Sequence, residues 1–172
     1  MPKLIRALCG LVMLASPGLV SAQKVTVEFD EARDFSDYKT FHILNGQLNS
    51  KSPMLNSELT RKNLEGYIRK YLTERGLIEV AGQPDLNVRY SLGAANRREI
   101  EAYPAGWRGL GTRRVAVRYT ESTLVLDLRD TRTRSLVWRA IAVEEKKDPS
   151  KLVGRLDEMV KKAAEKYPPK KK

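Results

Sequence analysis

Strict alternation of apolar and polar residues is the feature of this sequence that most limits its fold. In the segment 86-LNVRYSL-92, Leu86, Val88, Tyr90 and Leu92 alternate with polar residues. Side chains at every second position of a strand point to the same face. The pattern therefore predicts a sheet that is buried on one face and exposed to water on the other.

The segment 123-TLVLDLRDTRTRSLVWRA-140 shows the same alternation twice and predicts a hairpin. A five-residue turn over residues 130–134 would set Arg129 opposite Ser135, because Asp130 can accept a hydrogen bond from the backbone two residues on. A shift by one residue would move the leucines off the apolar face. The predicted pairs on that face are Leu128 with Leu136, Leu126 with Trp138 and Leu124 with Ala140. The polar face and the turn would then carry Arg129, Arg132, Arg134 and Arg139, either as solvated groups or as a dedicated anion site.

A first amphipathic helix is predicted in the middle of the chain. It begins at Ser52-Pro53 or at Ser57, because serine favours the N-cap and proline the first turn. Gly76 ends it as a left-handed cap. The apolar stripe consists of Leu55, Leu59, Leu64, Ile68, Tyr71 and Leu72.

A second amphipathic helix is predicted near the end of the chain. Asp148 caps it, Pro149 lies in its first turn, and Pro168-Pro169 ends it. The buried stripe consists of Leu152, Leu156, Met159, Ala163 and Tyr167.

Shorter patterns complete the predicted fold. Further strands are expected at residues 25–29, 38–44, 77–80 and from residue 115 onward, and loops at residues 45–53 and 93–112. Together the elements predict an α+β domain of two layers. Two amphipathic helices pack on one face of a mainly antiparallel sheet of five or six strands.

The first 22 residues have the pattern of a secretory signal peptide. Two basic residues precede a nine-residue apolar run, and Val20-Ser21-Ala22 supplies small residues before a cleavage site. A transmembrane anchor needs about 20 apolar residues. Cys9 lacks the neighbours of a lipoprotein acylation motif. We therefore expect cleavage after Ala22, export to the periplasm and no lipid anchor.

These expectations divide the chain into a signal peptide over residues 1–22, one α+β domain over residues 23–169 and a basic tail over residues 170–172. Loss of Lys3 and Arg6 would lower the formal net charge from +11 to +9. Strong positive charge bears on partners rather than on fold. For an exported protein it favours anionic lipid, lipopolysaccharide or an acidic envelope protein as partner, and no nucleic acid is expected.

A candidate partner-binding region is the predicted loop at residues 93–112 and its flank. Loops of this length in a compact domain are usually functional or disordered. Its basic and aromatic residues are Arg97, Arg98, Tyr103, Trp107, Arg108, Arg113 and Arg114. A structural alternative is that Trp107 folds back to cover a sheet edge.

Enzymatic motifs are scarce in this sequence. His42 is the single histidine, and Cys9 would leave with the signal peptide, so we predict no metal site and no cofactor. No Gly-x-Ser-x-Gly elbow accompanies His42. The main hypothesis is a non-enzymatic binding or structural protein of the envelope. The alternative is a small periplasmic hydrolase that uses His42 or a carboxylate pair, either Asp127 with Asp130 or Glu144 with Glu145.

Four segments resemble a bacterial envelope family known as domain of unknown function 4136. They are 34-DFSDYKTF-41, 84-PDLNVRYSL-92, 123-TLVLDLRDTRTRSLVWRA-140 and the helix ending at Tyr167-Pro168-Pro169. The resemblance implies a small exported protein without an assigned activity. The chain departs from the family in three ways. It lacks the acylation motif, it has Ile43 where the family commonly has an aromatic residue, and it has Arg134 where the family often has glycine or asparagine. If that position needs a positive φ, arginine costs about 1 kcal/mol there.

Overall fold

A computed structural model describes residues 23–105, 111–146 and 150–170, and of residues 99, 101–105, 111, 113 and 117 it describes the backbone alone. The predicted signal peptide, Asp148 and Pro149 at the predicted start of the second helix, and the last two residues of the predicted tail lie outside the described residues. The strands are β1 (Lys24–Phe29), β2 (Thr40–Ile43), β3 (Gln47–Ser50), β4 (Ile78–Glu79), β5 (Leu86–Ala105), β6 (Gly111–Asp130) and β7 (Leu136–Lys146). The helices are α1 (Glu58–Glu74), α2 (Ser150–Val153) and α3 (Leu156–Ala164).

The α+β class is confirmed, and the sheet is larger than predicted. Its strand order is β1-β7-β6-β5-β2-β4, and β3 also pairs with β5. β1, β7, β6 and β5 are joined by antiparallel pairing, whereas β2 and β3 each run parallel to β5. The predicted loop at residues 45–53 was wrong in part, because it contains β3.

The first helix begins and ends at predicted signals. The Ser57 hydroxyl accepts a hydrogen bond from the Thr60 amide at 3.1 Å, and Gly76 has a φ of 88°. Five of the six stripe residues are buried, but the placement of Leu59 was wrong, since its side chain is 67 % exposed. Leu59 precedes Leu64 by five residues, which places it about 140° away around the helix.

The last helical region is interrupted, contrary to the prediction of one helix. α2 ends at Val153 and α3 begins at Leu156, with a turn at Gly154 and Arg155. Arg155 contacts the buried Glu144 of β7, with Nε to Oε1 at 3.2 Å. The predicted buried stripe of this region is nevertheless confirmed for all five residues.

The core lies between the helices and one face of the sheet. Trp138 of β7 is fully buried and meets Tyr167 edge to face, with ring centroids 5.8 Å apart. Tyr167 in turn meets Phe35 at 5.8 Å. The polar face of the sheet carries no helix among the described residues, as the alternation predicts.

The β6–β7 hairpin has the predicted face but not the predicted register. Leu128 pairs with Trp138, Leu126 with Ala140 and Leu124 with Ala142, and a bulge follows Leu128 so that Arg129 pairs with Leu136. The predicted pairs were therefore wrong by two residues. From Leu124 to Leu128 an even shift keeps every side chain on its face, so burial alone cannot select between the two registers there. Leu136 was predicted on the apolar face, but the bulge pairs it with Arg129 of the polar face.

Candidate functional site

The predicted loop at residues 93–112 was wrong: its described residues continue β5 and begin β6. The two strands pair without a break from Leu86–Asp130 to Ala105–Gly111. β3 pairs with β5 no further than Ala94, and β7 pairs with β6 no further than Thr120. Residues 97–105 and 111–119 therefore form a two-stranded ribbon beyond the rest of the described sheet, here called the arm. Its nine residue pairs extend about 30 Å.

The register divides the predicted arginine cluster between the two faces of the arm. Arg98 pairs with Arg118, Ile100 with Ala116 and Ala102 with Arg114. Residues two apart in a strand share a face, and paired residues lie side by side. Arg98, Arg114 and Arg118 thus share one face with Ile100, whose side chain is 64 % exposed. Arg118 belongs to the basic cluster of the sequence but was not among the predicted partner-binding residues.

Arg97 belongs to the opposite face and is neutralised there. Its Nη2 donates to Oε1 of Glu121 at 3.0 Å, and this hydrogen bond raises the pKa of Arg97. Tyr103 and Arg113 are register partners in the arm. Trp107 and Arg108 lie outside the described residues.

On the body of the sheet, the polar face carries a row of alternating charge. Glu28, Arg139, Asp127 and Arg89 occupy neighbouring register positions on β1, β7, β6 and β5. Arg139 donates from Nε and Nη2 to the two carboxylate oxygens of Asp127, both at 2.7 Å. These bonds raise the pKa of Arg139. Arg139 is therefore a paired surface group and not a free cation.

Arg89 and Arg129 differ from Arg139 because they line a groove on this face. Arg89 is exposed and forms no hydrogen bond or ion pair with a described residue. Arg129 is half-buried, and its Nη1 donates to the carbonyl of Arg134 at 3.4 Å. The loop between β2 and β3 forms one wall of the groove, and the β6–β7 turn forms the other.

Asp130 shapes that turn. Its buried carboxylate accepts hydrogen bonds from the amides of Arg132 at 2.8 Å and Thr133 at 2.9 Å, and from the hydroxyl of Tyr38 at 3.1 Å. The Thr133 bond contributes most to lowering the pKa of Asp130. The bond from the backbone two residues on was predicted, whereas the link to Tyr38 was not. Arg134 has a φ of 60°, so its backbone is left-handed. This is the position at which the chain has arginine where the family often has glycine or asparagine.

The residues of the hydrolase alternative do not converge. His42 pairs in register with Asn87, and its side chain forms no hydrogen bond or ion pair with a described residue. Asp127 lies on the polar face, whereas Asp130 is buried on the other. Glu144 and Glu145 are adjacent in β7, so they point to opposite faces. The described residues include no cluster of acids, histidine or cysteine suited to a metal ion.

Comparison with solved structures shows the same fold in three proteins of low identity. A PDZ domain protein from Parabacteroides distasonis has 18 % identity and a TM-score of 0.60, over 87 % of this chain and 36 % of that one. A DUF4136 family protein from Bacteroides thetaiotaomicron has 15 % identity and a TM-score of 0.52, over 85 % and 96 %. The PelC dodecamer from Paraburkholderia phytofirmans has 13 % identity and a TM-score of 0.51, over 81 % and 95 %. The chain thus spans little more than a third of the first of these proteins.

No protein of curated function matches the chain. Among the described residues, no helix is both long enough and apolar enough to cross a bilayer. The model of the family described as Domain of unknown function (DUF4136) matches residues 25–169, and the chain belongs to that family.

Proposed function

We propose that this chain is an exported, non-enzymatic protein of the bacterial periplasm that binds an anionic partner through one face of its arm. Its N-terminal pattern of basic, apolar and small residues supports export. The excess of positive charge supports an anionic partner.

A single observation carries the proposal: three arginines share one face of the arm without a described carboxylate. Arg98 and Arg118 are direct cross-strand neighbours, and like charges in that position destabilise a sheet. Arg114 lies on the same face, beyond Ile100. None of the three arginines forms a hydrogen bond or ion pair with a described residue. An anionic surface would neutralise this repulsion, and it would also cover the exposed Ile100.

The hydrolase alternative has less support. A hydrolase needs a cleft in which several polar groups meet a reacting atom. The His42 side chain has no described hydrogen-bond or ion-pair partner, and the acids of each candidate pair lie on different faces of the sheet. Asp127 is already engaged by Arg139.

The test is binding to vesicles that contain phosphatidylglycerol, and in parallel to lipopolysaccharide micelles, at low and high salt. Substitution of Arg98, Arg114 and Arg118 by serine should weaken binding roughly a hundredfold at low salt, because each cation near an anionic surface contributes about 1 kcal/mol. Added salt should reduce wild-type binding through screening. If both lipid probes fail, capture from envelope extracts with the same variant tests an acidic protein as the partner.

The matched control replaces Lys62, Arg75 and Lys161 by serine. These three exposed cations lie on or beside the helices and have the same total charge. The control should bind more tightly than the arm variant. Equal loss in both variants would mean that net charge governs binding, and the arm face would then have no special part.

A further inference from the structure

The groove on the polar face is a concave, half-open site rather than a flat patch. It consists of two adjoining spaces of about 480 and 570 Å³ that share Leu44, Arg89 and Arg129. Asn87 and Arg89 of β5 and Arg129 of β6 form its floor. Arg134 and Thr131 border it from the turn.

Two residues that line this groove each have a buried side-chain donor without a hydrogen-bond partner among the described residues. These donors are Nε of Arg129 and the hydroxyl oxygen of Thr131. Buried polar atoms in native proteins are almost always hydrogen-bonded to protein or to a bound species. Both atoms belong to residues that line the same space.

The acids that border the groove are already engaged. Asp127 accepts two hydrogen bonds from Arg139. Asp130 accepts hydrogen bonds from Tyr38 and from the amides of Arg132 and Thr133. Asp130 also forms an ion pair with Arg33, with Nη1 to Oδ2 at 3.8 Å, so both carboxylates have a cation outside the groove as their described ion-pair partner. Arg89, Arg129 and Arg134 form no ion pair with either carboxylate.

We propose that this groove binds the phosphoryl group of a phosphomonoester or of inorganic phosphate. Arg89 and Arg129 are diagonal cross-strand neighbours, a spacing within reach of two long side chains that converge on one anion. Guanidinium groups match phosphate oxygens in geometry and charge. Three cations and the hydroxyl of Thr131 supply more donors than the two oxygens of a carboxylate require, whereas a phosphoryl group offers three oxygens and up to two charges.

This site goes beyond the proposed function and stands on different residues. The arm variant with Arg98, Arg114 and Arg118 changed to serine should therefore retain phosphate binding. Failure of the arm proposal and failure of this one are thus separable.

The experiment is titration of the mature chain with inorganic phosphate, followed by calorimetry and by amide chemical shifts. The parallel probes are methyl phosphate, sulfate, acetate and vesicles containing phosphatidic acid. Arg89→Ser and Thr131→Val should each weaken phosphate binding about tenfold or more, because each removes a donor to a charged acceptor. Both variants should keep the fold, since Arg89 is exposed and valine has nearly the shape of threonine.

Arg132→Ser is the matched control, because Arg132 lies in the same turn and has the same charge but does not border the groove. Arg132→Ser should change the affinity for phosphate less than roughly twofold, because the charge of an exposed residue outside the groove is screened by salt. Tighter binding of methyl phosphate than of the vesicles would identify a soluble ligand, and the reverse would identify a lipid headgroup. Absence of saturable binding, acetate binding as tight as phosphate, or an Arg132→Ser loss equal to that of Arg89→Ser would overturn the proposal.

Discussion

The body of the sheet and the arm are built from the same two strands but are stabilised in different ways. Along residues 86–92 of β5, every second side chain is buried against the helices. Along the arm, β5 and β6 have each other as their only described strand partner, and the described side chains are exposed or half-buried. A two-stranded ribbon without a packed layer is marginally stable in water. Stability therefore resides in the body, and the arm is free to carry charge that a packed layer would exclude.

This difference predicts that substitutions in the body change the free energy of unfolding, whereas substitutions in the arm mainly change binding. The largest effect is expected for Trp138→Ala. Trp138 is fully buried and packs edge to face on Tyr167. Loss of such a side chain costs about 3–5 kcal/mol, which corresponds to a fall in Tm of roughly 6–20 °C.

Thermal unfolding followed by circular dichroism checks this prediction. Trp138→Phe should lose much less stability than Trp138→Ala, because phenylalanine retains a ring and because the indole nitrogen has no described hydrogen-bond partner. A Tm for Trp138→Ala within 2 °C of wild type, roughly the shift for half a kcal/mol, would contradict the placement of the core in the body.

The next effect concerns Asp130, which ties the β6–β7 turn to Tyr38. Asp130→Ala should cost about 2–4 kcal/mol, since it leaves the buried Tyr38 hydroxyl and the amides of Arg132 and Thr133 without their acceptor. Urea unfolding measures this loss directly. Asp130→Asn should cost less, because an amide oxygen can still accept from the two backbone amides.

The same residue predicts a dependence on pH. The pKa of Asp130 is lowered in the folded protein, so its carboxylate contributes stability above its unfolded pKa of about 3.9. That contribution is lost as the pH falls through the lowered folded value. Between pH 5 and pH 2 the Tm of Asp130→Asn should therefore fall less than that of wild type. Parallel curves for the two proteins would show that other acids govern the acid transition.

A smaller loss is expected at Gly46, which sets the loop beside the groove. A Cβ at this position would lie 2.1 Å from Cε2 and Cζ of the Tyr90 ring. The Tyr90 hydroxyl donates to Glu65 at 2.6 Å, which holds the ring in place. Gly46→Ala should therefore cost about 1–3 kcal/mol in urea unfolding. Gly82→Ala is the control, because a Cβ there meets nothing within 4 Å, and it should leave the unfolding midpoint unchanged.

The sequence predicts the body much better than the arm because alternation arises from burial on one face. Leu86, Val88, Tyr90 and Leu92 alternate because the helices cover them. The arm has no face covered by a described element, and its first strand, residues 97–105, shows no period of two, so that Pro104 and the following glycines resemble a loop. In the second strand Val115, Val117 and Tyr119 do alternate, and the strand predicted from residue 115 onward is confirmed as part of β6. Pairing between its two strands depends on their continuation from the body, and a local pattern cannot reveal that.

The arginines of the polar face were also predicted only in part. Parity places Arg129 and Arg139 on the polar face, but a shift of two residues preserves parity. That shift puts Asp127 directly opposite Arg139 and so removes one of the four arginines from the candidate anion site. The bulge after Leu128 and the left-handed Arg134 accommodate the observed register. Neither the link from Tyr38 to Asp130 nor the contact of Gly46 with Tyr90 leaves a local signal, since each joins residues distant in sequence.

The smallest predicted effect concerns Arg98, one of the three cations on the exposed face of the arm. Arg98→Glu converts the like-charge pair with Arg118 into an opposite-charge pair at the same register position. Cross-strand pairs of opposite charge stabilise a ribbon modestly, so amide exchange in the arm should slow by roughly two- to fivefold. Exchange at Leu126 and Leu128 in the body should not change, since global unfolding sets the rate there.

The same variant should bind the anionic probes less well, because it loses a cation and gains an acid. A more stable arm that binds less would show that the repulsion between Arg98 and Arg118 serves the partner and not the fold. Slower exchange in both regions would mean that arm and body unfold as one cooperative unit. No change in the arm would mean that the repulsion between Arg98 and Arg118 does not weaken the ribbon.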